Sequence, residues 1–193
     1  MRLPQSAVDS FAILFGAGVG IETATGISLQ SLLCDHLAID GNYVDQRIQT
    51  IFLNGRAVDR IDQVMIKAND VIALSAAMPG LAGATLRKGG FFAPLRKDIS
   101  HQDTPVALAT HQKATVTLKL FNLVARELGP HLLHRGVWIK GKDLEKHLRQ
   151  FDVAAGCCGP SEAIYNDVRL SAEHLAQLDF PDHWMFLQVN ALG

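Results

Sequence analysis

Asn54-Gly55 closes the run Ile48-Gln49-Thr50-Ile51-Phe52-Leu53. A β-branched, apolar segment stopped by two residues that tolerate positive φ specifies a strand followed by a tight reversal. Ala57 and Val58 resume the chain beyond the turn. After Val64-Met65-Ile66, the residues Lys67-Ala68-Asn69-Asp70 form a second turn, and Val71-Ile72-Ala73-Leu74 reads as a continuous buried strand.

The residues before this hairpin supply its setting. Phe11-Ala12-Ile13-Leu14-Phe15 is a short aromatic and apolar run, Gly16-Ala17-Gly18 follows it, and Val19 to Thr23 continues. The pattern predicts a strand, a turn and a strand. Ser28 then caps a helix in which Leu29, Leu32, Leu33 and Leu37 recur at helical spacing. The expected order is strand, strand, helix, strand, strand.

This ordered set, with its strand closing on Asn54-Gly55 and its Lys67-Ala68-Asn69-Asp70 turn before the last strand, resembles the β-grasp sulfur carriers of thiamine and molybdopterin biosynthesis. The resemblance covers residues 8 to 80 and implies a ubiquitin-like sheet gripping one helix. In that family the last strand runs into a tail ending in Gly-Gly, whose carboxylate is adenylated and converted to a sulfur-donating thiocarboxylate. Here Ser75-Ala76-Ala77-Met78-Pro79-Gly80 occupies that stretch, Pro79 stands where the penultimate glycine would be, and the chain continues.

A diglycine comes later, at Gly89-Gly90. Two readings compete for it. Cleavage after Gly90 would expose a carrier terminus. Alternatively Gly80, Gly83, Gly89 and Gly90 belong to a turned connector, the reading favoured by the further ~100 residues with their own apolar pattern.

In that further stretch, residues 91 to 113 carry little periodicity and read as a linker or decoration. Thr115 to Phe121 alternates like a strand that gives way to a helix near Asn122, and Gly129-Pro130 is expected to break or kink that helix. Val137-Trp138-Ile139 is a strand candidate and Gly141 starts a helix. Asp167 to Leu170 reads as a strand, Ser171 as a helix cap, and Trp184 to Val189 as a final strand.

Cysteines carry the remaining chemistry. Cys157-Cys158 lies between glycines and before Pro160-Ser161; a helix opening there would favour a thiolate able to carry persulfide. The competing reading packs both as small residues in a tight turn. Cys34 falls beside the helix stripe as a small hydrophobe, and one cysteine in the first half excludes a plant-type iron-sulfur site. His131, His134 and His147 lack the spacings of structural zinc. Trp138 and Trp184 are expected to pack the second core rather than stack on a ligand.

Composition narrows the functional classes. The 193 residues are 48% hydrophobic and 19% charged, with 18 basic side chains against 19 acidic ones and a formal charge of -1. This balance gives no field to collect nucleic acid or anionic lipid. No apolar run reaches the ~18 residues of a membrane helix, and the N-terminal residues lack the form of an export signal. A cytoplasmic location is expected, with no nucleic-acid or membrane partner.

The expected fold class is α+β: a ubiquitin-like β-grasp domain at 1–90, a linking segment at 91–113, and a small α+β domain at 114–193. The expected function is non-catalytic recognition or assembly of another protein through the β-grasp sheet face, linked to sulfur transfer, with no cofactor and no metal. The alternatives are a sulfur carrier matured after Gly90 and a thiol-dependent sulfur-transfer enzyme using Cys157 or Cys158.

Overall fold

The computed structural model describes residues 1–3, 8–101, 112–155 and 163–191. The chain is α+β. In order it forms β1 (Arg2–Leu3), a 3-10 turn (Asp9–Ile13), α1 (Leu14–Ala17), β2 (Val19–Ala24), α2 (Leu29–Ser31) running into a π turn (Leu32–His36), and α3 (Gly41–Gln46). Then come β3 (Thr50–Leu53), β4 (Arg56–Ala57), β5 (Val71–Ser75), α4 (Gly80–Leu86), a 3-10 segment (Ala93–Ile99), β6 (Lys113–Phe121) and α5 (Asn122–Arg135). The last elements are β7 (Val137–Lys140), α6 (Gly141–Ala155), β8 (Ala163–Tyr165), β9 (Val168–Leu170), α7 (Ala172–Gln177), β10 (Trp184–Leu187) and β11 (Asn190–Ala191).

These elements group into two compact units, one of Ile21–Val124 and one of Met1–Gly20 with Ala125–Gly193. Neither boundary coincides with the expected breaks at 90 and 114, and the second unit is not contiguous in sequence.

In the Ile21–Val124 unit the sheet order is β2-β6-β5-β3-β4. β3 pairs antiparallel with β4 and β5, and β5 pairs parallel with β6. Thr25, just past β2, donates its amide to Gln112, just before β6 begins, which is how an antiparallel neighbour starts. Alternation along β6 buries Val116, Leu118 and Leu120, and β5 adds Ile72 and Leu74 to the same side. Leu29, Leu32 and Leu33 of the helix are likewise at most 1% exposed. Their helix opens at Ser28, whose Oγ accepts from the Ser31 amide at 3.0 Å.

The two turns read from the sequence are latched together. Asn54 (φ 51°) and Gly55 (φ 78°) both occupy the left-handed region that a two-residue hairpin needs. The Asn54 side chain donates to Asp70 Oδ1 at 2.8 Å and accepts from the Val71 amide at 2.8 Å. Asp70 Oδ2 accepts from the Lys67 amide at 2.7 Å, closing the second turn, where Asn69 has φ 64°.

In the other unit the sheet order is β10-β7-β2, all antiparallel. Here the structure corrects the sequence reading. Phe11 to Phe15 is helical, not the first strand of a hairpin. Phe11, Ala12, Leu14 and Phe15 are buried and Ile13 is 67% exposed, the i, i+1, i+3, i+4 pattern of a helix face. The place beside β2 that this run was expected to fill is taken by β6.

α5 also runs on through Gly129-Pro130 instead of breaking there. It ends at Gly136, whose φ of 94° and amide bond to the Leu132 carbonyl make a left-handed stop. A Cβ at Gly136 would lie 2.1 Å from the tip of the Phe186 ring, so that ring would have to shift for any other residue. α6 anchors the unit through Glu145, 8% exposed, which takes Lys142, Arg149 and the Phe180 amide.

Candidate functional site

Two surfaces of the Ile21–Val124 unit stand out. The first is the sheet face opposite its core. Period-2 alternation puts Phe52, Ala73 and Lys119 in one row across β3, β5 and β6, with Val71 beside Thr117 in the next. These side chains are partly exposed, whereas their neighbours on the other face are buried. Lys113 and Glu22 pair at 2.7 Å at the β2 end. At the far end the row turns polar and closed: Ser75 sits opposite Thr50, both buried, and accepts from Asn122 Nδ2 at 3.1 Å.

The second surface is the segment from α4 to His101, which folds back on the unit. The Lys88 amide donates to the Gln49 carbonyl at 2.7 Å, and its Nζ donates to the Val44 carbonyl in the last turn of α3 at 2.9 Å. A cation there complements the negative end of the helix. The His101 amide donates to the Ala57 carbonyl at 2.8 Å, and Ser100 bridges to Ala57, so the edge strand β4 is covered by the chain itself.

Arg96 locks this segment. It is 3% exposed and donates to Asp59 Oδ1 at 2.6 Å, to the Thr85 carbonyl at 2.7 Å and to Ser100 Oγ at 3.0 Å. With the guanidinium satisfied inward, the apolar side chains around it are left outward. Leu81, Phe91, Phe92 and Leu95 are 75%, 90%, 40% and 74% exposed.

The residues singled out from the sequence fall in separate places. Gly89 and Gly90 lie in a tight turn of this segment; the Gly89 amide (φ 60°) donates to Asp59 Oδ1 at 2.8 Å and the Gly90 amide to the Arg87 carbonyl at 3.1 Å. Cys157 and Cys158 lie outside the described residues. Cys34 is half-buried in the π turn, and its thiol is pushed up by burial and by the nearby carboxylates of Asp35, Asp45 and Asp40, so it is held as a poor nucleophile. Lys88 is pulled below the ordinary lysine value by burial, partly offset by Asp45 at 3.7 Å.

Among the described residues, His134 and His147 have separate partners. His134 Nδ1 is 2.7 Å from Asn190 Oδ1, and His147 is buried against Phe11 at a ring separation of 4.5 Å, with burial pulling it below the ordinary histidine value. Among the described residues no three His, Cys, Asp or Glu side chains are grouped to hold a metal ion. Trp184 is 40% exposed, contrary to the expected core packing.

The sequence reading missed Arg96 and Asp59. They are 37 residues apart, and Arg96 falls in the stretch 91–113, whose lack of periodicity reads as a linker or decoration. Compared with protein-family models, curated proteins and solved structures, the chain matches none.

Proposed function

We propose that this chain is a non-catalytic recognition or assembly protein, and that Ile21–Val124 is a β-grasp-type domain offering its outer sheet face to another protein. The order of elements supports the domain reading. A strand, a capped helix, the Asn54-Gly55 hairpin and a strand after the Asp70 turn follow one another as in the carriers, and β6 stands beside β2 where the hairpin partner belongs.

The observation that carries the function is the one-sided burial of this sheet. Phe52, Ala73 and Lys119 in one row and Val71 and Thr117 in the next form a continuous, partly exposed patch of small, aromatic and cationic groups. Such a mixed face fits a protein surface, where an aromatic anchor and a polar rim divide the work. The inward bonds of Gly89 and Gly90 favour recognition over a carrier tail, which has to be free to thread an activating enzyme.

A photo-reactive residue at Thr117, introduced in the native host, is expected to give one protein adduct that Ala73→Arg abolishes without lowering the melting temperature. An adduct pattern indifferent to Ala73→Arg would sink the reading. Intact mass from native cells addresses the carrier and persulfide alternatives, since termination at Gly90 or a gain of one sulfur supports them.

A further inference from the structure

After β5 the chain leaves the sheet and returns along the β4 edge, and among the described residues of this segment, Gly80 to His101, only Gly83 and Arg96 are buried. No apolar side chain described there anchors it, and Leu81, Phe91, Phe92 and Leu95 face water. A segment that buries so little apolar surface lies at the low end of local stability. Its internal bonds are better provided. Arg96 draws three of its four acceptors, the Thr85 and Arg87 carbonyls and Ser100 Oγ, from the segment itself. One side chain thus gathers residues 85–87 and 100, and the Gly90, Ala93 and Leu95 amides close successive turns between them.

The bonds from the segment to the rest of its unit are polar. Asp59 Oδ1 accepts from Arg96 at 2.6 Å and from the Gly89 amide at 2.8 Å. Lys88 reaches the Gln49 carbonyl with its amide at 2.7 Å and the Val44 carbonyl with Nζ at 2.9 Å, and the His101 amide meets the Ala57 carbonyl at 2.8 Å. Asp59 is about one-third exposed, so water competes for the oxygen that two of these contacts share.

We propose that Gly80 to His101 is a detachable strap: a loop assembled around Arg96 that lifts from the unit as one piece when Asp59 lets go, and that caps the β4 edge only while docked. Because Thr85, Arg87 and Ser100 travel with Arg96, opening breaks one charged contact and leaves the guanidinium bonded and free to hydrate. Ala57 carries the edge that opening uncovers. It stands opposite Phe52, at the end of the row Phe52-Ala73-Lys119, and in the docked form its carbonyl is taken by His101. In the open form that carbonyl is free and the sheet ends on an uncovered strand. The strap is a stand-in for a neighbouring strand, and its opening governs whether the β4 edge can receive another. The opening needs no partner, so it stands or falls apart from the reading of the outer sheet face.

Native-state hydrogen exchange of the full chain in graded urea tests this. The amides of Lys88, Gly89 and His101 donate to Gln49, Asp59 and Ala57 and report the docking, whereas those of Asn54 and Thr117, bonded to the Val71 and Asp70 carbonyls, report the sheet. The first three are expected to exchange through one shared opening, more readily than the sheet amides and with a shallow dependence on urea. Exchange of all five together on one steep slope would mean that the segment leaves only when the unit unfolds, and would overturn the proposal. Three unrelated openings for Lys88, Gly89 and His101 would overturn it as well. Asp59→Asn keeps the shape and removes the charge, and is expected to speed all three about tenfold or more. A rise confined to Gly89, or none, would remove Asp59 as the latch and overturn the proposal. Should that variant fail to fold, the exchange of the wild-type chain decides the matter alone.

Discussion

Arg96 is charged at any physiological pH and almost wholly out of water, so its cost is offset by the groups that meet it: Asp59, Ser100 and the Thr85 and Arg87 carbonyls. Asp59 is the only one of these that carries charge, and it remains about one-third exposed. Asp59→Ala should therefore destabilise the fold by about 2–3 kcal/mol, toward the low end of the range for breaking a buried ion pair. Urea denaturation with a lowered midpoint at constant slope is the expected result. Leu95→Ser, by contrast, acts on a side chain already in water, and its midpoint should move by less than about 0.5 kcal/mol equivalent. The pair tests whether the segment is held by its arginine or by its apolar residues.

His147 makes a second residue-scale prediction. Burial lowers its folded value below the ordinary 6.5, so on acidification the unfolded chain takes up the proton first. Its contribution to stability is complete above about pH 6.5 and is lost as the pH falls from there toward the folded value. Replacement by glutamine should flatten that acid limb, read as the difference in urea midpoint between pH 7.5 and 5.5. A His147→Gln chain with the wild-type slope would mean that other groups set the acid response.

At the scale of elements, how far the sequence could be read depended on whether each segment carried its own local signal. Asn54-Gly55, Ser28 and the alternation of Thr115 to Phe121 are decided within a few residues, and β3, α2 and β6 appear where those signals put them. Phe11 to Phe15 carries no polar residue to mark a period, and an apolar run of that length fits a strand or a helix equally. The helix buries Ala12 and Phe15 beside Gly129, where a Cβ would come within 3.1 Å of Ala12. That neighbour is over a hundred residues away and invisible to a local pattern.

Two elements have single residues on which they turn. Gly136→Ala forces a left-handed backbone on alanine and drives its methyl into the Phe186 ring; a loss of about 1–3 kcal/mol from strain alone is expected, with a changed near-ultraviolet signal from Trp138. Leu118 is 1% exposed at the middle of β6, and Leu118→Ala should cost about 2–5 kcal/mol. A Leu118→Ala midpoint within error of wild type would mean that β6 is peripheral to its unit.

At the scale of the whole molecule, the expected division at 90 and 114 followed a fall in periodicity, which marks where regular structure pauses and says nothing of which strands pair across the pause. β5 and β6 are parallel neighbours, and parallel neighbours need a long connection. The stretch that looked like a linker is that connection. The candidate surfaces were correspondingly half visible: the alternation of β3, β5 and β6 names the outer face, but the order of strands across it depends on pairings no local pattern records. A chain cut after Gly90 keeps β5 and loses β6, leaving Ile72 and Leu74 without their covering neighbour. Residues 1–90 alone should give no cooperative thermal transition, and a sharp one would revive the carrier reading.

The parallel pairing of β5 with β6 also sets a timetable for synthesis. A nascent chain that has delivered Val71 to Ser75 holds an open strand edge until Phe121 has cleared the ribosomal tunnel, and Arg2–Leu3 wait for Asn190–Ala191 before their ladder can form. At about 5–20 residues per second the first interval lasts several seconds. For that time the apolar face of β5 is shielded by whatever meets it first, so the yield of this protein in a cell should be governed by how well its first half is chaperoned while the second is still being made.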